Sequence, residues 1–571
     1  MPVHVSQNIE EKQRLIRVAQ GMEKADLVLK DATYLNVFTQ AWEQGDVAIS
    51  GGFIAGMGTY HGKTEISVKG KWLVPSFIDG HIHLESSLVS PAEFARAVVT
   101  HGTGAVVTDP HEMANVLGLD GIQYMLQASQ GLPVDVWFMA PSCVPATGYD
   151  ESGAILTARD ITPYLDNPRV LGLAEMMNFP GVLGGDADVL AKIQAAQASG
   201  KRVDGHGPGL SGYALSAYVA SGVTSDHECS TAEEAMEKIR LGQWIMIREG
   251  TAAQNLEALL PLLREPFARR CLFVTDDKHP EDLLKHGHLD FIVREAVRQG
   301  VDPVLALTCA SYTAANFFGL TGHGAVAPGY AADLVLLGDL TEFPVVKVWK
   351  GGATVFDGQS VHLSAPPVDP ALAEKVMHTF HIPPIIARSF TRSEPAGVLQ
   401  MVPGQIITLD GGMASGVDLS QDLLKIAVLE RHRGTGHIGV GYLKGYGLRR
   451  GAIATSIAHD SHNLIVVGAN DEDMACAANR VVAMGGGIAI AEGGRITDEL
   501  CLPLAGLMSL EPLETVNQAL ERLKARAASL GVSDKVDPFM TLSFMSLPVI
   551  PALRILTKGV FSVDKWDYVS H

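Results

Sequence analysis

The sequence predicts an α/β protein in which a (β/α)8 barrel is inserted into a small split β-sandwich domain and followed by a C-terminal α/β domain. Two β-rich patches, residues 25–75 and 329–358, flank a long middle. Within that middle, from Pro75 to about Gly319, eight apolar strand-like segments alternate with helix-like ones, the pattern of parallel strands joined by helices. Each of these eight segments carries a polar or ionisable residue at or within two positions of its end, and barrels of this kind build their sites at the carboxyl ends of the strands.

The first patch reads ADLVLKDATYLNV, GDVAISGGFIAGMG and TEISVKGKWLVP, β-branched runs separated by glycine-containing turns. The later patch, Gly329 to Gly358, has the same character, so residues 1–75 with 325–365 are expected to form one small domain. The barrel is expected over 76–324, with strands in LVPSFIDGHIH, AVVTD, VDVWFMAPS, VLGLAEM, RVDGHGP, VTSDHE, QWIMIRE and CLFVTDD. PAEFARAVVTHG and TAEEAMEKIRLG are among the helices between them. Residues 366–571 hold strands KIAVLE and NLIVVGAN and the helix LETVNQALERLKARAASLG, the third domain.

Composition narrows the function. The 571 residues include 44 Lys+Arg and 63 Asp+Glu, a net charge of −19, which repels phosphodiester chains and argues against a nucleic-acid partner. With 47% hydrophobic and 19% charged residues the chain is globular rather than disordered. Its six cysteines form no CxxC pair, and most of them read as reduced, buried thiols. The first twenty residues lack an apolar signal core, and the apolar stretch Leu542 to Leu556 is broken by Pro548, Pro551 and Arg554. No membrane partner, a cytoplasmic location and a homo-oligomer, dimer or higher, are the expectations.

The strongest chemical feature is His81-Ile82-His83 at the end of the first barrel strand, because residues i and i+2 of a strand point to one side. Glu175, His206, His227 and Asp276, with Asp277 beside it, end other strands and can converge on the same mouth. Four imidazoles and two carboxylates suffice for two cations if Glu175 bridges them. Oxygen and imidazole donors without thiolate favour manganese, iron or zinc. In the C-terminal region, Gly434, Gly436 and Gly439 match a dinucleotide fingerprint, but the glycine-dense GVGYLKGYGLRRG that follows disfavours the helix it requires.

PSFIDGHIHLESS together with these strand endings resembles the amidohydrolase superfamily. TDPHEMANVLG, PSCVPAT, AEMMNFPGV, DGHGPGLSG, SDHE, IREGTAAQN, TDDKHPEDLL and SIAHDSHNLIVVG are similar, more narrowly, to the adenine deaminase family. The resemblance implies that His81, His83 and Asp276 hold one metal ion, that His206 and His227 hold a second, and that Glu175 bridges. It implies two divalent ions, manganese or iron first and zinc also compatible, and a free purine base as substrate. Water would attack C6 of adenine, Asp276 would take its proton, and a carboxylic acid would protonate the ring, with Glu112 and Asp277 the carboxyl groups at hand. Another purine or a cyclic amide is the alternative substrate on the same frame.

Asp109, His111 and Glu112 follow the second strand and are expected either to hydrogen-bond the purine or to form a salt-bridged loop. Ser142 and Cys143 end the third strand, as substrate contacts or as turn residues. Asp277 is a proton-transfer group or a surface carboxylate. His459 and His462, within His459-Asp460-Ser461-His462-Asn463, either reach over the barrel mouth to substrate or knit a domain interface. His279, His286 and His288 are expected to be solvated. An iron oxidoreductase and an inactive binding protein are the competing classes, but the six converging ligands are complete, which favours a binuclear hydrolase.

Overall fold

The computed structural model describes residues 8–569 apart from 252, 366, 404 and 406, so the expected boundary at 366 lies outside the described residues. Parallel strands Phe77–His83, Thr103–Thr108, Asp135–Ala140, Val170–Met176 and Arg202–Gly205 pair in that order. Ser225–Asp226, Trp244–Arg248 and Cys271–Val274 form the next ladder, and Asp276–Asp277 pairs in parallel with Ile82 and His83, closing the ring. Between the fifth and sixth strands Thr224 N–H donates to the Val203 carbonyl at 2.9 Å, and Ser225 Oγ accepts from Gly205 N–H at 3.3 Å and donates to Asp204 Oδ1 at 2.9 Å.

The first and fourth strands are buried at every position, because helices cover their outer faces and side chains fill the interior. Ile78, Val107, Met139, Leu171, Met246 and Leu272 occupy that interior, each contributing about 1.5–3 kcal/mol through burial. Phe317 of helix Tyr312–Phe318 seals the amino ends of the strands, resting on Trp244 with ring centroids 5.3 Å apart. The apolar filling thus ends below the carboxyl ends and leaves those to polar groups. At Gly80, one residue before His81, an added Cβ would stand 2.4 Å from Leu272 Cδ1, so a larger residue there would force the buried Leu272 side chain to move.

The two β-rich patches join in one eight-stranded sheet, with Leu334–Leu337 antiparallel to Trp72–Pro75. Lys350 ties this sheet to the barrel, its Nζ lying 2.5 Å from Asp135 and 2.7 Å from Asp333. The C-terminal region is a second eight-stranded sheet with helices Asp471–Ala483 and Leu513–Ser529, plus a three-stranded sheet from Leu553–Leu556 onward. Leu423–Leu429 returns directly as antiparallel Ile438–Lys444, so no helix follows the glycines at 434–439. This region packs on the barrel mouth: Ser90 and Ser509 are joined by a backbone bond of 2.9 Å, and Lys524 reaches Glu281 at 2.9 Å. Among the described residues no helix is long and apolar enough to cross a membrane.

Candidate active site

His81 and His83 leave the first strand on its inner face, while Ile82 between them packs into the outer core. Asp276 Oδ1 lies 3.6 Å from His81 Nε2 and 3.2 Å from His83 Nε2. Glu175 turns Oε1 to His83 Nε2 at 3.2 Å, and Oε2 to His206 Nδ1 at 2.7 Å and His227 Nε2 at 3.3 Å. Its two oxygens therefore face different imidazoles, the placement a bridging carboxylate needs. All six residues expected as metal ligands come together here.

Hydrogen bonding around the cluster leaves lone pairs pointing inward. His83 Nδ1 lies 3.2 Å from the Asp109 carbonyl, which only accepts, so Nδ1 carries a proton and Nε2 is the atom turned to Asp276 and Glu175. His81 Nε2 is buried without a hydrogen-bond partner, a cost that a cation among these donors would remove. This donor set of imidazole and carboxylate fits a divalent metal centre. Burial would raise the Glu175 carboxyl, but His206, His227 and His83 overrule it and hold it well below its ordinary value. Asp276 is likewise held low against burial, by Arg248 first and then by His81 and His83. Its backbone sits at φ 59°, a left-handed conformation costly for aspartate, so the fold forces this carboxylate into position.

Two residues beyond the expected set complete the electrostatics. Buried Arg248, ending the seventh strand, donates to Asp276 Oδ2 at 2.7 Å and forms an ion pair with Glu228. Glu228 follows His227 and lies 3.7 Å from His206. Both obey the same strand-end rule that marked the ligands, in SDHE and IREGT, so the signal was present in the sequence.

The cluster opens into a cavity of about 330 Å3. His111, Glu112, Asp277 and His459 line it, and Ser86 donates to Asp277 Oδ1 at 2.5 Å. Asp109 does not line it; it instead holds His111 Nδ1 at 3.0 Å. Ser142 and Cys143 also lie behind the wall. Ser142 Oγ donates to the Glu175 carbonyl, and Cys143 Sγ accepts from Asn178 N–H at 3.4 Å, because the third strand end tucks beneath the fourth. Tyr218 braces the same place, donating to the Met176 carbonyl and accepting from His206 N–H, both at 2.9 Å. His286 is exposed, as expected, but His288 is fully buried, 3.2 Å from Asp79, because its segment packs under the first strand. His279 is partly buried rather than solvated.

A family model described as "Amidohydrolase family" matches residues 72–355, and one described as "Adenine deaminase C-terminal domain" matches residues 405–567. The adenine deaminase of Desulfatibacillum aliphaticivorans is 47% identical over 564 residues, covering 98% of this chain and 99% of its own length. The chain belongs to the adenine deaminase family. Adenine deaminase 2 of Carboxydothermus hydrogenoformans is 46% identical over 563 residues, covering 97% of this chain and 98% of its own.

The segment matched by the adenine deaminase C-terminal model also builds part of the cavity. Phe544, Leu547, Val549, Ile550 and Pro551 roof it with apolar surface. His459 and His462 reach Glu112 across the interface, His459 Nδ1 at 2.6 Å from Oε1 and His462 Nε2 against Oε2. His459 lines the catalytic cavity, whereas His462 stands behind it.

Proposed function

We propose that this chain hydrolyses free adenine to hypoxanthine and ammonia at a binuclear centre. His81, His83 and Asp276 would hold one divalent cation and His206 and His227 the other, with Glu175 between; manganese or iron is favoured, with zinc compatible. The observation that carries this reading is Glu175, whose two oxygens face separate imidazoles beneath a cavity open to a small molecule. The relatives named adenine deaminase, similar along nearly the whole chain, support the substrate.

When bound, the two cations would supply an activated water. Asp276 accepts the proton of that water as its oxygen bonds to C6, and later passes it to the departing amino nitrogen. His111 offers an imidazole to the purine edge, and Glu112 and Asp277 supply carboxylates for proton movement. The roof takes the flat, uncharged ring, which a surface of net charge −19 does not repel. In the same reading the barrel of residues 76–324 supplies the ligands and residues 366–571 the roof, with 1–75 and 325–365 as a supporting domain. A cytoplasmic homo-oligomer without a nucleic-acid partner belongs to the same proposal.

The test is direct. Metal-replete protein given adenine should release hypoxanthine and ammonia in equal amounts. No turnover of adenine, with turnover of another purine or a cyclic amide, would overturn the assignment.

A further inference from the structure

The clamp between Glu112 and the two C-terminal histidines fixes where protons sit. His462 Nδ1 accepts the Ala458 N–H at 3.1 Å, so the ring's own hydrogen is on Nε2 and is donated to Glu112 Oε2. Burial keeps His462 neutral by lowering its pKa. Glu112 is an acceptor on both oxygens: burial would raise its pKa, but His462, His459 and His111 hold it well below the carboxylate range. His459 must then donate through Nδ1, at 2.6 Å.

That leaves His459 Nε2 without a protein partner among the described residues, on a ring that lines the catalytic cavity. The ring cannot swing, because it is stacked on Phe544 at 4.7 Å and its backbone N–H donates to the Ser543 carbonyl at 3.0 Å. His459 also forms part of the wall of a second, smaller cavity of about 40 Å3, room for a water or two. Glu281, Lys524 and Asp537 lie along that second cavity and are partly exposed, so it leads toward solvent.

We infer that His459 is a catalytic acid contributed by the C-terminal domain, donating the Nε2 proton to N1 of the purine, with Glu112 and His462 as its positioning residues. This rests on the adenine deaminase reading above and reassigns the ring proton from a carboxylic acid to an imidazole. As the water oxygen bonds to C6, the C6–N1 π pair moves to N1 and takes the proton from His459. The proton held by Asp276 then passes to the amino nitrogen, the C6–N6 bond breaks with its electron pair, and ammonia leaves. The remaining hydroxyl proton goes to solvent as the C6 carbonyl forms, and His459 takes one proton back through the smaller cavity, so one water is consumed per turnover.

The charges facing His459 agree with this. Burial lowers its pKa, but Glu112, then Asp277 and Asp460, outweigh it and raise the pKa to about 9. The imidazolium is therefore the resting form at neutral pH.

The experiment compares wild type with H459N and E112Q using adenine across pH 6–10, with metal content and folding checked. We expect H459N to lose about 10²-fold or more in kcat, keep KM within a few fold and keep its metal. Its profile should lack the alkaline fall of the wild type. In E112Q that fall should move to lower pH, because the carboxylate that raises the imidazole is gone. H459A, which opens a hole, should regain activity with added imidazole, a response that a merely structural role would not give. Activity of H459N near the wild-type level, a change in KM alone, or loss of a metal ion with the imidazole would each overturn the inference. Absence of adenine turnover in the wild type would instead sink the parent reading, before any variant is compared.

Discussion

Truncating the roof separates substrate binding from chemistry. Ile550 is half-buried and lines the catalytic cavity, so its free surface is available to a bound ring, whereas Leu547 is already packed against Phe544 and Ala146. Ile550→Ala removes three carbons, at about 0.8 kcal/mol each when fully covered, or about 2.4 kcal/mol in all. A flat purine covers roughly one side of the chain, so about half of this, about 1.2 kcal/mol, is lost, equivalent to about sevenfold in affinity. The contact is equal in ground and transition states, because the roof touches the ring face and not the reacting bond. Steady-state kinetics with adenine should therefore show KM raised about sevenfold and kcat changed by less than about twofold. An unchanged KM, or a fall confined to kcat, would refute the placement of the ring beneath this roof.

Three further outcomes follow from the site. Glu175→Gln removes the charge shared between the imidazole sets, so metal analysis should show about one equivalent or none per chain where the wild type holds about two; two retained equivalents would contradict a bridging role. Arg248→Met strands Asp276 and Glu228, an expected loss of about 3–5 kcal/mol, read as a lower Tm of the metal-free protein at neutral pH. Asp276 is depressed in the folded state, so its stabilising contribution is present above the ordinary carboxylate pKa of about 3.9 and is lost as pH falls. The Tm gap between variant and wild type should accordingly narrow on acidification, and a constant gap would assign the loss to packing. Ser142→Ala removes the hydroxyl donor to the Glu175 carbonyl and leaves it the Met177 N–H at 3.0 Å, costing about 0.5–1.5 kcal/mol and lowering kcat through Glu175; a rise in KM alone would return Ser142 to substrate contact.

Much of the barrel is legible in the chain because its signals are local. Alternation of apolar runs with helical segments, and a polar residue closing each run, are properties of ten or so neighbouring residues. His81 and His83 are two apart, and Arg248 and Glu228 follow the same strand-end logic although they carry no motif of their own. The placement of Ser142 and Asp109 was not legible. Whether a strand-end side chain faces the cavity or the neighbouring backbone depends on how adjacent loops tuck, as when Ser142 turns under Glu175. The burial of His288 has the same origin, since only its meeting with Asp79 shows that its segment runs beneath the first strand.

The sequence by itself determined the strand order of the barrel and the six donors at its carboxyl ends. Periodicity and strand-end chemistry suffice for those, because each is decided within one βα unit. Only the tertiary structure decided that Glu175 faces two sets of imidazoles, that Arg248 holds Asp276, and that the C-terminal region roofs the site. Glu112 and His459 are 347 positions apart, and no local pattern encodes a hydrogen bond between them. The packing of two independently patterned units brings that carboxylate and that imidazole to 2.6 Å.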